Sequence, residues 1–524
     1  MSWYQELAKA REQEPKTYRS ASTATLTVRR PTTTQRMIIL PARGLRAPTG
    51  GALPAAARNW LTQLSPGVSR RHSAGGASVT VKLLDAVHED GAKLVEMTPD
   101  AVTALRAVQP GLRIVPEVFY YPAVQIPFAE HRPAATGGGM RSVKVTVTSG
   151  AGGAPIKDVM VIAFTDFDAR EGDQGTTSAS GSVTLRIPAR IKRFQRIYAY
   201  PEIAYWGRLR KNAAVAATID LPLTPIDLTY VDCVRHFYGA GGPTDGSKVK
   251  VAIIDSGIAL SHPDLTVAGG ECTIPGESPS AYGPDGGPHG SHVAGIVAAH
   301  GVGPAGIGGV APAAELYSFR VFGSGEGASN YSIIKAIDRA VALGCDLINM
   351  SLGGGPRDTA LEAAIGDAYL AGTVCIVAAG NDYRQPVSVP AAYQLSVAVS
   401  ASGRKGTFPS GTTAAGDVAS PYGTDRKDFV AAFTNTGSEL DVTGPGVGVI
   451  STVPGGYAIM GGTSMACPAV TGLTARLLAQ PANAAALNGA RDESRSNTIV
   501  EMLLHSCKKL GFGPSYEGLG LPRG

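Results

Sequence analysis

From about Pro225 onward the chain repeats one pattern: an apolar run, a glycine turn, then a helix built of small residues. KVKVAIIDSG leads to HGSHVAGIVAAH, ELYSFRVF to SNYSIIKAIDRAVALG, CDLINMSLGG to DTALEAAIGDAYLAG, and TVCIVAAGN follows. Runs that are apolar at nearly every position are strands covered on both faces, and helix-length crossovers between them make neighbours parallel. The pattern predicts an α/β domain with a central, mostly parallel sheet. Ligand sites in such sheets gather at the carboxyl ends of the strands, so chemistry is expected just beyond those runs.

A chain of 524 residues exceeds what one compact core holds, and the first half differs in pattern from the second. Residues 1–35 are polar, show no hydrophobic period and read as a flexible tail. Over 36–122 the order RMIILPA, AAARNWLTQL, SVTVKLLDAV, AKLVEM, TPDAVTALRAV, LRIVPEVFYY reads as β-α-β-β-α-β, a ferredoxin-like α+β unit. Thr98 and Pro99 supply an N-cap and a first-turn proline for its second helix. Residues 123–140 are rich in Pro, Ala and Gly and read as a linker. Short strands separated by turn clusters predict a small β-sandwich over 141–223. Its pattern GAPIKDVMVIAF and GTTSASGSVTL is similar to carboxypeptidase-regulatory or prealbumin-like domains, and it is expected to bind a partner or to act as a spacer. Its acidic turn DFDAREGDQG departs from the EF-hand pattern at Arg170 and Glu171. Residues 224–524 make up the α/β domain.

Several function classes are disfavoured by composition. A net charge of +5 over 524 residues, with no basic block interleaved with aromatics, gives no sign of a nucleic-acid partner. The six cysteines lie far apart without a CxxC pair, so neither a zinc cage nor a dense disulfide framework is indicated. No run approaches the length of a membrane helix, and MSWYQELAKAREQEPKTYRS has no apolar core like that of a secretory signal. The expectation is a soluble, cytoplasmic protein with no membrane partner.

Three candidate residues follow strands directly: Asp255 after VKVAII, Ser351 after CDLINM and Asn381 after VCIVAAG. Two more open helices, His289 in GPHGSHVAGIV and Ser464 in GGTSMACPAV. Singly, each has a structural explanation: Asp255 as a turn former, Asn381 as a strand cap, Ser464 as a helix N-cap, His289 and His292 as surface and core histidines. Together they form a constellation. A serine hydroxyl needs an adjacent base, which histidine supplies, and the histidine needs an anion to hold its tautomer, which a buried aspartate supplies. An asparagine amide with a backbone N–H can receive the oxyanion. No H-E-x-x-H or third ligand accompanies the two histidines, so no metal site is assigned to them.

In AIIDSGI, HGSHVAG, AAGN and GTSMACP, taken in that order, the chain resembles the subtilisin-like serine proteases, the subtilases, over about 226–524; YSIIKAIDRAV and INMSLGG are family-like as well. The resemblance implies a serine endopeptidase acting on polypeptides. Ser464 would be the nucleophile, His289 the general base and acid, and Asp255 its orienting anion, with Asn381 and the Ser464 backbone N–H as oxyanion hole. Ser351, Leu352, Gly353 and Gly354 would line one side of an extended substrate and FGSGEG around Gly325 the other.

The resemblance also implies that 36–122 is a propeptide-like domain, a partner of the chain's own active site, whose last strand lies product-like in the substrate cleft as an inhibitor. No cofactor is required for the chemistry. A structural calcium ion is common in the family, with Asp264 of HPDL as one ligand, but the accompanying loop HGVGPAGIGG offers no Asn or Asp side chain. Where the family pattern has Ser and His after the nucleophile, this chain has Cys467 and Ala469, and Cys467 is expected to confer sensitivity to thiol reagents. The alternative is a catalytically inactive binding protein on the same scaffold.

Overall fold

The computed structural model describes residues 34–46, 52–64, 69–74, 77–124, 139–284, 287–323 and 327–524. Gly325 and nearly all of the tail expected over 1–35 lie outside them. Strands Ala77–Ala86, Lys93–Met97, Gln35–Pro41 and Leu112–Pro116 form an antiparallel sheet in that spatial order, which is the ferredoxin-like arrangement. One strand was not foreseen: Ser69–Ala74 adds a hairpin to the outer edge, from a segment without the apolar alternation that marks a strand. Thr98 caps the helix Pro99–Val108, its hydroxyl accepting from the Ala101 N–H.

LRIVPEVFYY is two strands rather than the single one expected. Pro116 ends the first, because a residue without an N–H cannot continue a ladder. Phe119–Pro122 leaves the sheet and inserts between Ala328–Ser329 and Leu352–Gly353 of the α/β domain, antiparallel to both. The small domain also rests on two helices of the α/β domain, Asn330–Ala342 and Thr359–Leu370. Lys335 pairs with Asp85 at 2.7 Å, His88 meets Asp338 at 2.7 Å, and the Leu45 N–H donates to Asp367 at 2.8 Å. Ile38, Leu40 and Leu94 share one buried apolar cluster with Ile334, Ala364 and Ile365.

Between Met140 and Pro225 two four-stranded sheets face each other around Val143, Val145, Leu185, Ile197 and Leu221. The run MVIAF explains how this sandwich sits. Val161 and Ala163 fill its own core, while Met160, Ile162 and Phe164 on the opposite face belong to the same buried cluster as the α/β domain. A strand apolar on both faces has both faces covered. Backbone hydrogen bonds complete the junction: Leu209 N–H to Gly411 O at 2.8 Å, Thr413 N–H to Gly207 O at 3.0 Å and Ala204 N–H to Tyr457 O at 2.8 Å. In the acidic turn, Arg170 stacks over Phe167 at 4.4 Å and over Tyr383 of the α/β domain at 5.1 Å.

The α/β domain holds the mostly parallel sheet. Its strands run, in spatial order, Val267–Cys272, Glu315–Arg320, Lys250–Asp255, Leu347–Met350, Val374–Ala378 and Ser396–Arg404, all parallel. Asp428–Ala431 and Val418–Tyr422 extend that edge antiparallel. Helices His289–Ala298 and Thr463–Leu478 pack against each other and are buried along nearly their whole length, which their small residues allow. Among the described residues no helix is long and apolar enough to cross a membrane.

Candidate active site

Asp255 ends the strand Lys250–Asp255, and His289 opens the helix His289–Ala298. They meet because Gly290 lets that helix approach the turn after the strand: a Cβ there would lie 2.4 Å from Gly257 O and 3.2 Å from Asp255 Cβ. The Gly290 N–H donates to Ser256 Oγ at 2.9 Å, and the Ala259 N–H to Ser291 Oγ at 2.9 Å, which pins the first turn. His289 Nδ1 then sits 2.8 Å and 3.0 Å from the two Asp255 carboxylate oxygens, with both side chains buried. Aspartate on Nδ1 leaves Nε2 as the nitrogen available to exchange a proton.

Ser464 lies in the first turn of Thr463–Leu478, the helix packed on that of His289. Its hydroxyl donates to Ser351 O at 2.9 Å, and the Ser351 hydroxyl donates to Ser464 O at 2.9 Å. Asn381 lies three residues past the end of the strand Val374–Ala378. Its side-chain oxygen accepts from the Thr463 N–H at 2.9 Å and the Thr463 hydroxyl at 3.0 Å, which turns its NH2 group toward the cleft. Two donors converge there on one carbonyl: the Asn381 amide and the Ser464 N–H, the latter at 3.2 Å, both reach Ala123 O.

Ala123 is the residue after the inserted strand, within the segment expected to be a linker. Its N–H donates to Ser351 O at 3.1 Å, Pro122 pairs with Leu352, and Tyr121 with Gly353. On the opposite side Tyr120 pairs with Ala328 and Phe119 with Ser329, while the Asn330 N–H holds Val118 O at 2.8 Å. A cavity of about 310 Å3 opens beside Ala123, walled by Gly353, Gly354, Gly380 and Asn381. The sequence motifs did not single out Gly462, Thr463, Ala328 or Ser329, although the first two lie inside GGTSMACP. Gly462 has φ +152°, and a Cβ on it would lie 2.6 Å from Ala123 O. Nothing in YYPAVQ distinguished Ala123 beforehand.

Three neighbours take other roles. His292 is a core histidine whose Nε2 lies 3.2 Å from both Val449 O and Ala458 O; burial, with a smaller push from His289, lowers its pKa to about 3. Cys467 is fully buried, 3.2 Å from Asn349 Oδ1 and from Ile376 O, and burial pushes its thiol far up. The expected sensitivity to thiol reagents is therefore corrected: the sulfur is buried away from reagents, and burial disfavours the reactive thiolate. At Asp264, Oδ2 already accepts from the Ile307 N–H and the Tyr457 hydroxyl, each at 2.8 Å, while Gly301 and Gly306 pack onto the carboxylate. One carboxylate oxygen thus serves protein donors, and the accompanying loop HGVGPAGIGG brings no Asn or Asp side chain, so few side-chain oxygens are on offer to a calcium ion.

Residues 246–517 match the model of the Subtilase family. Subtilisin E of Bacillus subtilis (strain 168) is 44% identical over 241 residues, 45% of this chain and 56% of that protein. Subtilisin DY of Bacillus licheniformis is 40% identical over 240 residues, 78% of its length, and Subtilisin Savinase of Lederbergia lenta 39% over 231 residues, 76% of its length. Against Subtilisin E the match thus spans a little over half the relative, whereas it covers most of Subtilisin DY and Savinase. With the family match extending over more than half of the 524 residues, this chain belongs to the subtilase family, peptidase S8.

Proposed function

We propose that the protein is a serine endopeptidase that first addresses its own Ala123–Val124 bond. The reading is carried by one observation: the Ala123 carbonyl lies in the grip of Asn381 and the Ser464 N–H, on a strand paired along both edges of the cleft. In the reaction Ser464 Oγ turns from Ser351 O and attacks the carbonyl carbon, and its proton passes to His289 Nε2. Asp255 holds the imidazole and stabilises its charged form. Negative charge on the carbonyl oxygen is met by donors already aimed at it, so little reorganisation is needed. Collapse breaks the C–N bond as His289 protonates the leaving amine, and water then releases the acyl group by the same steps.

The substrate class is an extended polypeptide read by strand addition. The glycine-walled cavity beside Ala123 has room for a side chain much larger than alanine. Tyr120, fully buried with its hydroxyl donating to Pro356 O at 3.0 Å, argues for an apolar or aromatic residue three positions before the one at the scissile carbonyl. In the same reading 36–122 is an internal inhibitor of the propeptide kind, supported by its two-sided strand insertion. The inactive binding-protein alternative is not favoured: the Asp255–His289 pair is formed and Asn381 with the Ser464 N–H holds the Ala123 carbonyl, leaving only the Ser464 hydroxyl to turn. Mass spectrometry of the purified chain tests the proposal. Wild type is expected to split between Ala123 and Val124 and Ser464→Ala to stay whole; an intact wild type that also fails to react with a fluorophosphonate would overturn it.

A further inference from the structure

Val124, the residue on the far side of the bond addressed, is buried where the sandwich meets the α/β domain. The cavity it borders has walls from both: Tyr200, Pro201 and Gly207 on the sandwich side, Met460 and Gly461 on the other. With Val124 in place only about 30 Å3 of it remains free, room for water but not for a larger side chain. The walls are not mobile loop tips. Gly207 is held by the Thr413 N–H, Ala204 by Tyr457 O, and a Cβ on Gly207 would already lie 2.8 Å from the Thr413 side chain. Asp417 borders the same space, and burial lifts its carboxyl to about 7 against the pull of Arg196 and Lys211. A second carboxylate placed there would meet the charge of Asp417.

We infer that the β-sandwich is part of the active site: it forms the wall that receives the residue after the scissile bond and restricts it to a small aliphatic side chain. This rests on the reading of Ser464 as nucleophile, and it gives the sandwich a role other than spacer or partner-binding module. Cutting at Ala123–Val124 leaves the sandwich on the same polypeptide as the triad, so the wall stays with the enzyme for later substrates.

The test uses the full chain after self-processing, with peptide pairs identical up to the scissile bond and carrying Val or Phe after it. Wild type is expected to favour Val by about 10-fold or more in kcat/KM, the scale of a pocket that rejects excess bulk. Tyr200→Ala is expected to cut that ratio by about 10-fold. In the chain itself, Val124→Phe should slow self-cleavage by a similar factor, and Tyr200→Ala should restore it. A wild type that takes Phe as readily as Val overturns the inference, as does a Val preference unchanged in folded Tyr200→Ala. The wild-type comparison decides even if that variant fails to fold. If no peptide is cleaved at all, the proposed activity fails instead, and the two failures are told apart.

Discussion

Gly462→Ala puts the oxyanion geometry to a direct test. An added methyl would lie 2.6 Å from Ala123 O, whereas ordinary contact begins near 3.4 Å, so the carbonyl must retreat by about 0.8 Å. The Ser464 N–H already reaches that oxygen at 3.2 Å, and the retreat takes the contact beyond hydrogen-bond range. Losing one such donor costs roughly 10²–10³ in turnover, about 2.7–4 kcal/mol, the magnitude established for the side-chain donor of subtilisin. The φ of +152° adds backbone strain for any residue with a Cβ. Self-cleavage should therefore slow by at least 100-fold, followed by denaturing electrophoresis over time, while a thermal melt shows the chain folded. A folded Gly462→Ala chain that processes at the wild-type rate would refute the placement of the hole.

Tyr120→Ala removes the fully buried aromatic anchor of the inserted strand, and large-to-alanine changes of this kind cost about 3–5 kcal/mol. After self-cleavage the N-terminal part should leave about 100-fold faster, read as a shortened lag before peptide hydrolysis begins. His292, lowered to about 3 by burial, contributes stability that is present above its unfolded value near 6.5 and is lost as pH falls toward 3, at up to about 1.4 kcal/mol per pH unit. Urea melts of His292→Gln should lose less stability than wild type between pH 6.5 and 4; parallel losses would count against the assignment. Asp264→Ala strands the buried Ile307 N–H, while the Tyr457 hydroxyl keeps Ala305 O at 3.3 Å, and is expected to cost about 1–3 kcal/mol. Chelators should leave the wild-type Tm where it is, because the loop HGVGPAGIGG brings no Asn or Asp side chain to hold a cation beside Asp264.

What could be read ahead of the structure was whatever local pattern determines. The buried strands ending at Asp255, Met350 and Ala378 are continuous apolar runs, and the glycine turns after them mark where Asp255, Ser351 and Asn381 emerge. Thr98 and Pro99 announce a helix start by their own chemistry. Tertiary pairing left weaker marks. Ser69–Ala74 is a strand because of its neighbour Ala77–Ala86 rather than its own composition. The division of LRIVPEVFYY follows from Pro116 together with a partner more than 200 residues away. Ala123 carries no chemistry of its own, and its importance comes from the carbonyl that Asn381 and Ser464 hold. The double-faced burial of MVIAF was legible as apolarity, but only the fold says which neighbour covers the outer face.

The bond between Ala123 and Val124 has anchored structure on either flank. Upstream, a strand is laced into the cleft and a sheet is braced on two helices; downstream, Val124 lies in the apolar seam beneath the sandwich. Severing it therefore parts nothing at once. The nicked molecule should keep the outline and sedimentation of the uncut one, so that the event shows only in a denaturing gel or a mass, and activation becomes a matter of unclasping rather than of cutting.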